Sequence, residues 1–226
     1  MKRLLFCFLS VLVVLGSLVL LSCSNDDDFD NSINYPNALV TIKTNSSTGQ
    51  VYFQLDDSTT ILPVNLKTSP YGDKELRALA NFRIQDGQNG HYSKSAYVNW
   101  VDTIRTKNMA QSLGLHNDDV YGKDPVEVVN DWTTIVEDGY LTLRFRTYFG
   151  NGAKHTMSLV KGEDPYEVVL HHNASGDTNG GVVRDGLVAF RLNDLPDTQG
   201  KAVDLTLKWQ SFTGMKSVKF KYISRK

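Results

Sequence analysis

Five histidines, many carboxylates and two cysteines are the side chains of this 226-residue chain that could cut, coordinate or capture something. The histidines are His91, His116, His155, His171 and His172. Neighbours on a strand point to opposite faces, so His171 and His172 cannot both ligate one ion from regular β structure. A glycosidase needs two carboxylates at a set separation. Glu163 with Asp164 and Asp118 with Asp119 are the adjacent pairs considered, and both sit beside turn residues, where carboxylates read as solvated loop charges. There is no Gly-x-Ser-x-Gly elbow, no His-Glu-x-x-His run and no glycine loop to cradle phosphate. No catalytic residue, metal ligand or cofactor site is assigned, and the chain reads as a protein that is not an enzyme.

The remaining reactive group is a thiol. Lys2 and Arg3 precede an almost unbroken apolar segment from Leu4 to Leu21, and Leu20, Leu21, Ser22 lead directly into Cys23. This order resembles a bacterial lipoprotein signal: residues 1–22 are removed after Ser22, and the Cys23 thiol carries diacylglyceryl, with acyl chains such as palmitate. Each buried methylene contributes about 0.8 kcal/mol, so two or more chains anchor stably where one does not. Cys7 falls within the discarded segment, so the mature chain has one cysteine, no internal disulfide and no cysteine metal site.

Loss of Lys2 and Arg3 leaves 22 basic against 25 acidic residues, a net charge of −3. Nothing here resembles the concentrated basic face that nucleic acid requires. Residues 23–37 are polar and without apolar periodicity, and read as an acidic flexible tether. Asp26, Asp28 and Asp30 have the first spacings of a calcium loop, but Asn31 stands where its glycine belongs, so calcium is rejected.

The body is all-β. In residues 38–110 short β-rich runs at 38–43, 50–55 and 60–66 precede a strand in which Leu76, Ala78, Ala80, Phe82 and Ile84 alternate with polar residues including Arg77, Asn81 and Arg83. That pattern puts Arg77 and Asn81 on a face largely in water. A fifth strand places Ala96, Val98 and Trp100 on one face. Five strands in about 70 residues fit a small closed OB-like barrel. After a boundary near residues 108–118, residues 118–226 show further short strands with recurrent turns, the pattern of an antiparallel β-sandwich. Trp209 is in phase with Leu205 and Leu207, and Trp100 with Val98, so both are expected in cores. Trp132 precedes its strand; its exposure beside other aromatics would favour glycan binding, and its burial would remove the best binding candidate.

Asp131, Trp132, Thr133 and Glu137, Asp138, Gly139, Tyr140, Leu141, Thr142, Leu143 resemble the NigD-like lipoproteins of Bacteroides and its relatives. Gly152, Ala153, Lys154, His155 and Val188, Ala189, Phe190, Arg191, Leu192 support the likeness. The resemblance implies an OB-like domain followed by a β-sandwich behind a lipoprotein signal, with no catalytic residue to carry over. Ser24, Asn25, Asp26, Asp27, Asp28 resemble the signal that exports lipoproteins of these bacteria to the cell surface. The triplets Asp57, Ser58, Thr59 and Asp102, Thr103, Ile104 resemble their O-glycosylation acceptors. The expectation is an outer-membrane lipoprotein, anchored through Cys23 and facing outward, with a noncatalytic binding or structural role toward a glycan or surface protein. A surface glycan hydrolase or a glycan-binding component of nutrient uptake is the alternative.

Overall fold

The computed structural model describes residues 31–225; Ser22, Cys23 and the acidic run 24–28 lie outside them. Five strands, β1 (Ala38–Thr44), β2 (Val51–Gln54), β3 (Thr60–Pro63), β4 (Leu76–Gln85) and β5 (Lys94–Thr103), close into a barrel in the order β1-β2-β3-β5-β4. Alternation sends Val40, Ile42, Val51, Phe53, Ile61 and Phe82 inward. The alanines Ala78, Ala80 and Ala96 leave room for them in a narrow lumen. The OB-like barrel expected from the strand spacing is therefore the observed one.

One expectation fails at a single inserted residue. The β4–β5 register runs Asn81 to Trp100 and then Phe82 to Val98, so Asn99 is bulged. A bulge of one residue reverses every later side chain. Val98 and Val101 accordingly face the lumen, whereas Trp100 is turned outward and only half-buried. Its indole Nε1 donates to the Ile33 carbonyl at 2.5 Å. Asn81 donates to the Ser32 and Tyr35 carbonyls at 2.8 and 2.6 Å, and Asn37 pairs with Phe82 through both side-chain amide atoms. Residues 31–37, expected as the end of the tether, are thus fastened to the barrel.

The sandwich begins at once after β5. β6 (Arg105–Asn108) pairs with β12 (Val182–Arg191), so the boundary falls near Ile104 and not within 108–118, where no strand alternation marks it. A helical turn and the five-residue α1 (Asn117–Tyr121) then lead to β7 (Glu127–Val129), β8 (Ile135–Glu137), β9 (Tyr140–Phe149), β10 (Thr156–Lys161), β11 (Glu167–Asn173), β13 (Val203–Ser211) and β14 (Gly214–Tyr222). One sheet runs β10-β11-β13-β14 and the other β6-β12-β9-β7, with β8 also on β9. The sandwich is antiparallel except at β11–β13 and β6–β12, which are parallel. Leu141, Leu143, Leu159, Val168, Val188, Phe190, Leu205, Leu207 and, as expected, Trp209 fill the space between the sheets.

Barrel and sandwich belong to one compact unit. Leu39 and Leu79, turned outward by the same alternation that fills the barrel, pack with Ile104, Ile135, Leu187 and Ala189. Arg77 and Asn81 are therefore buried and not in water, because the sandwich covers the first and the 31–37 segment covers the second. The polar face of β4 is real, but its cover is protein.

A candidate binding groove at the domain junction

Leu143 points into the sandwich core, so its neighbour Arg144 points out of the opposite face of the sheet, beside its register partner Leu187. The barrel covers the Thr142–Ala189 end of this face and stops short of Arg144. The uncovered part is a groove of about 510 Å³, within the range of ligand-binding clefts. Leu187 and Arg144 form its floor, Pro36, Leu79, Asp102 and Thr103 the barrel wall, which Ile104 and Arg105 continue into β6, and Asp131 to Thr133 the far wall.

The far wall is fixed locally. Asp131 Oδ1 accepts the Thr133 N–H and hydroxyl at 2.9 and 2.7 Å, an Asx-type turn. Arg144 donates to Asp131 Oδ2 at 2.7 Å and to Asp185 at 2.7 Å, and Arg146 donates to Asp185 at 2.6 Å. Thr134 donates to the Val129 carbonyl and accepts the Arg144 N–H. On this braced turn Trp132 is 51% exposed. Hydrogen bonds from Arg146 and Arg144 push the Asp185 carboxyl down to about 2. Burial would raise Asp131, but bonds from Thr133 and Arg144 override it and hold it below the usual carboxylate range. Both carboxylates are ionised at neutral pH, and neither can lend a proton to a leaving group.

The other end of the domain contact is closed. Arg77 is fully buried and donates to Thr41 at 3.1 Å, Thr142 at 3.3 Å and Glu137 at 3.3 Å. Arg225 donates to Glu75 at 2.5 Å and to Asp138 at 2.6 Å, and Lys43 to Asp138 at 2.7 Å. The Tyr140 hydroxyl donates to Glu75, and three guanidiniums, of Arg77, Arg191 and Arg225, lie 4.8–5.9 Å from its ring centre. Burial and the Glu75 bond push the Tyr140 phenol up to about 12. Every charge here has a partner within the protein, so this cluster joins the domains.

Other candidates are placed as follows. His171 and His172 do point to opposite faces: His171 Nδ1 lies 3.0 Å from the Gly122 carbonyl, His172 Nδ1 3.2 Å from that of Pro125. His172 Nε2 lies 3.0 Å from His155 Nδ1, and His155 Nε2 3.3 Å from Asp177. The Gly150 and Asn151 amides, with His155, hold Asp177 below the usual carboxylate range. This buried chain ties two loops at the sandwich end. All four carboxylates of the adjacent pairs are exposed; Glu163 and Asp164 are loop charges, as expected, whereas Asp118 and Asp119 lie in the first turn of α1 and not in a loop. Ser58 is exposed and bonds Asp56, and Thr103 is an exposed residue of the groove wall. Among the described residues no three or more His, Cys, Asp or Glu side chains gather to hold a metal, and no helix is long and apolar enough to cross a membrane.

Residues 39–104 match the NigD-like N-terminal OB domain, and residues 106–222 the NigD-like C-terminal β-sandwich domain. A solved structure from Parabacteroides distasonis, described as toxin-related, is 33% identical over 83% of this chain and 92% of its own, with a TM-score of 0.69. A NigD-like immunity protein from Bacteroides caccae has 18% identity over 83% of this chain and 97% of its own, at TM-score 0.58. A Bacteroides fragilis protein described as a lipoprotein has 17% identity over the same shares, at 0.52. These last two are likenesses of fold. No curated protein matches the chain.

Proposed function

The chain belongs to the NigD-like family, and from that premise we propose that it is a lipoprotein anchored through Cys23 in the outer membrane, facing outward, which binds a partner noncatalytically in the junction groove. The observation that carries the binding reading is Trp132. A large aromatic kept half in water on a hydrogen-bonded turn contributes little to packing, and it stands on the wall of a groove of ligand size. The lipoprotein signal, the lipoprotein-like fold neighbour and the acidic run after Cys23 support the location.

A surface hydrolase fits less well, since the two carboxylates bound by Arg144 are both held ionised and a glycosidase needs one acid protonated. Two measurements test the proposal. Protease added to intact cells, with a periplasmic protein as lysis control, should digest the body; full protection refutes the outward orientation. Arrays of glycans and peptides probed with the wild type and with Trp132→Ala should show ligands that the variant loses; a ligand turned over to product refutes the noncatalytic reading.

A further inference from the structure

A sheet edge is a row of unpaired backbone donors and acceptors, and proteins guard it with lysines, brevity or cover. β14 carries Lys216, Lys219 and Lys221. β7 and β8 have three residues each. β10 is bridged by Ala110, whose N–H donates to the Leu159 carbonyl. β6 is four residues long and abuts the barrel, where the Arg77 N–H donates to Thr106.

The first half of β12 has none of these devices. β6 covers only Val188 to Arg191, whereas β9 pairs with β12 from Val182 onward. On the side away from β9, β6 reaches back no further than the Leu187 carbonyl, and the backbone of residues 182–186 makes no hydrogen bond there among the described residues. The stretch Val182, Val183, Arg184, Asp185, Gly186, Leu187 contains no lysine, proline or bulge, and both valines are exposed. Alternate residues of an antiparallel pair turn their N–H and C=O outward, so Val183 and Asp185 offer both groups to a newcomer. Asp185, Gly186 and Leu187 line the groove, and so does Arg105, where β6 starts.

We propose that the groove receives an extended peptide, which adds as a strand to the open edge of β12 in line with β6 and sends a side chain over Leu187 toward Trp132. This assignment rests on the binding reading above and names the class of its ligand. Backbone bonds at the edge supply affinity, and the groove supplies choice of side chain. Arg105 and Arg184 flank the edge with no ion pair among the described residues, against one such carboxylate, Asp102, so the peptide carries an acidic residue. A sugar is served less well: no second aromatic ring lines the groove, and Arg144, Arg146 and Thr133 already occupy the Asp131 and Asp185 oxygens.

The full chain in detergent is panned against a displayed library of random peptides and against a glycan array. The expected ligand is an acid-containing peptide that slows amide hydrogen exchange at residues 182–187. Trp132→Ala and the edge-guarding Val183→Lys should each weaken it roughly tenfold or more with an unchanged melting temperature. Peptide binding that leaves exchange there unaltered overturns the strand-addition assignment. A Trp132-dependent glycan as sole ligand overturns it while leaving the binding reading intact, and no Trp132-dependent ligand of either kind overturns both. A dimer dissolved by Val183→Lys would give the edge to a second copy of this chain and likewise overturn the peptide.

Discussion

The two ends of the barrel–sandwich contact are built from the same parts, arginines, carboxylates and one large aromatic, and differ in what the aromatic meets. At the closed end the Tyr140 ring is fully buried among Arg77, Arg191 and Arg225. At the open end Arg144 and Asp185 brace a turn from which Trp132 faces water. An arginine–carboxylate cluster is thus no mark of function by itself. The deciding feature is an aromatic surface left uncovered while the groups around it are satisfied.

Arg77→Ala should break the comparison at its closed end most severely. It leaves Glu137 half-buried without its cation, and removing one partner of a buried pair costs about 3–5 kcal/mol; denaturant unfolding would read this directly. Arg225→Ala removes charge-assisted bonds to Glu75 and Asp138 and should cost about 1.5–3 kcal/mol by the same measurement. If either variant unfolds like the wild type, the closed end is not what joins the domains.

Acid should come next in effect. Burial would raise Asp138, but the Arg225 and Lys43 bonds override it and hold it below its ordinary value. Its contribution to stability is therefore present above about pH 4, the unfolded value, and is lost as pH falls through the lower folded value. Glu137, raised by burial, has the opposite sign and softens the loss. Melting temperatures from pH 5 to 2.5 should fall, and Asp138→Asn should flatten that slope at the price of a lower plateau. Trp132→Ala sharpens the contrast from the other side, because stability should change by no more than about 0.5 kcal/mol, the ordinary range for a surface substitution. A larger loss in calorimetry would make Trp132 a packing residue.

Strand periodicity made the barrel and most of the sandwich legible, because an apolar side chain at every second position records which face is buried. It could not say what buries the opposite face. Arg77 and Asn81 look like solvent residues in the sequence, and only the sandwich and the 31–37 segment make them interior. Trp100 reads as a core residue in the sequence because the bulge at Asn99 changes phase without leaving a glycine or proline behind. Trp132 could be singled out as a binding candidate, but Arg144 and Asp185 could not, since they lie 41 residues apart and meet only through the β9–β12 register. The open edge of β12 is equally silent: it depends on where β6 stops.

The strap over the barrel also has a mechanical meaning. Any pull on the chain ahead of Asn31 reaches the Asn81 and Trp100 contacts with Ser32, Ile33 and Tyr35 first, then the Asn37–Phe82 pair, and only afterwards the β1–β4 ladder. These links lie in series and open one at a time, as in peeling, whereas strands loaded along their length resist together. The one-residue bulge that turns Trp100 outward thus gives the segment ahead of β1 a fastening of its own, separate from the β1–β4 ladder.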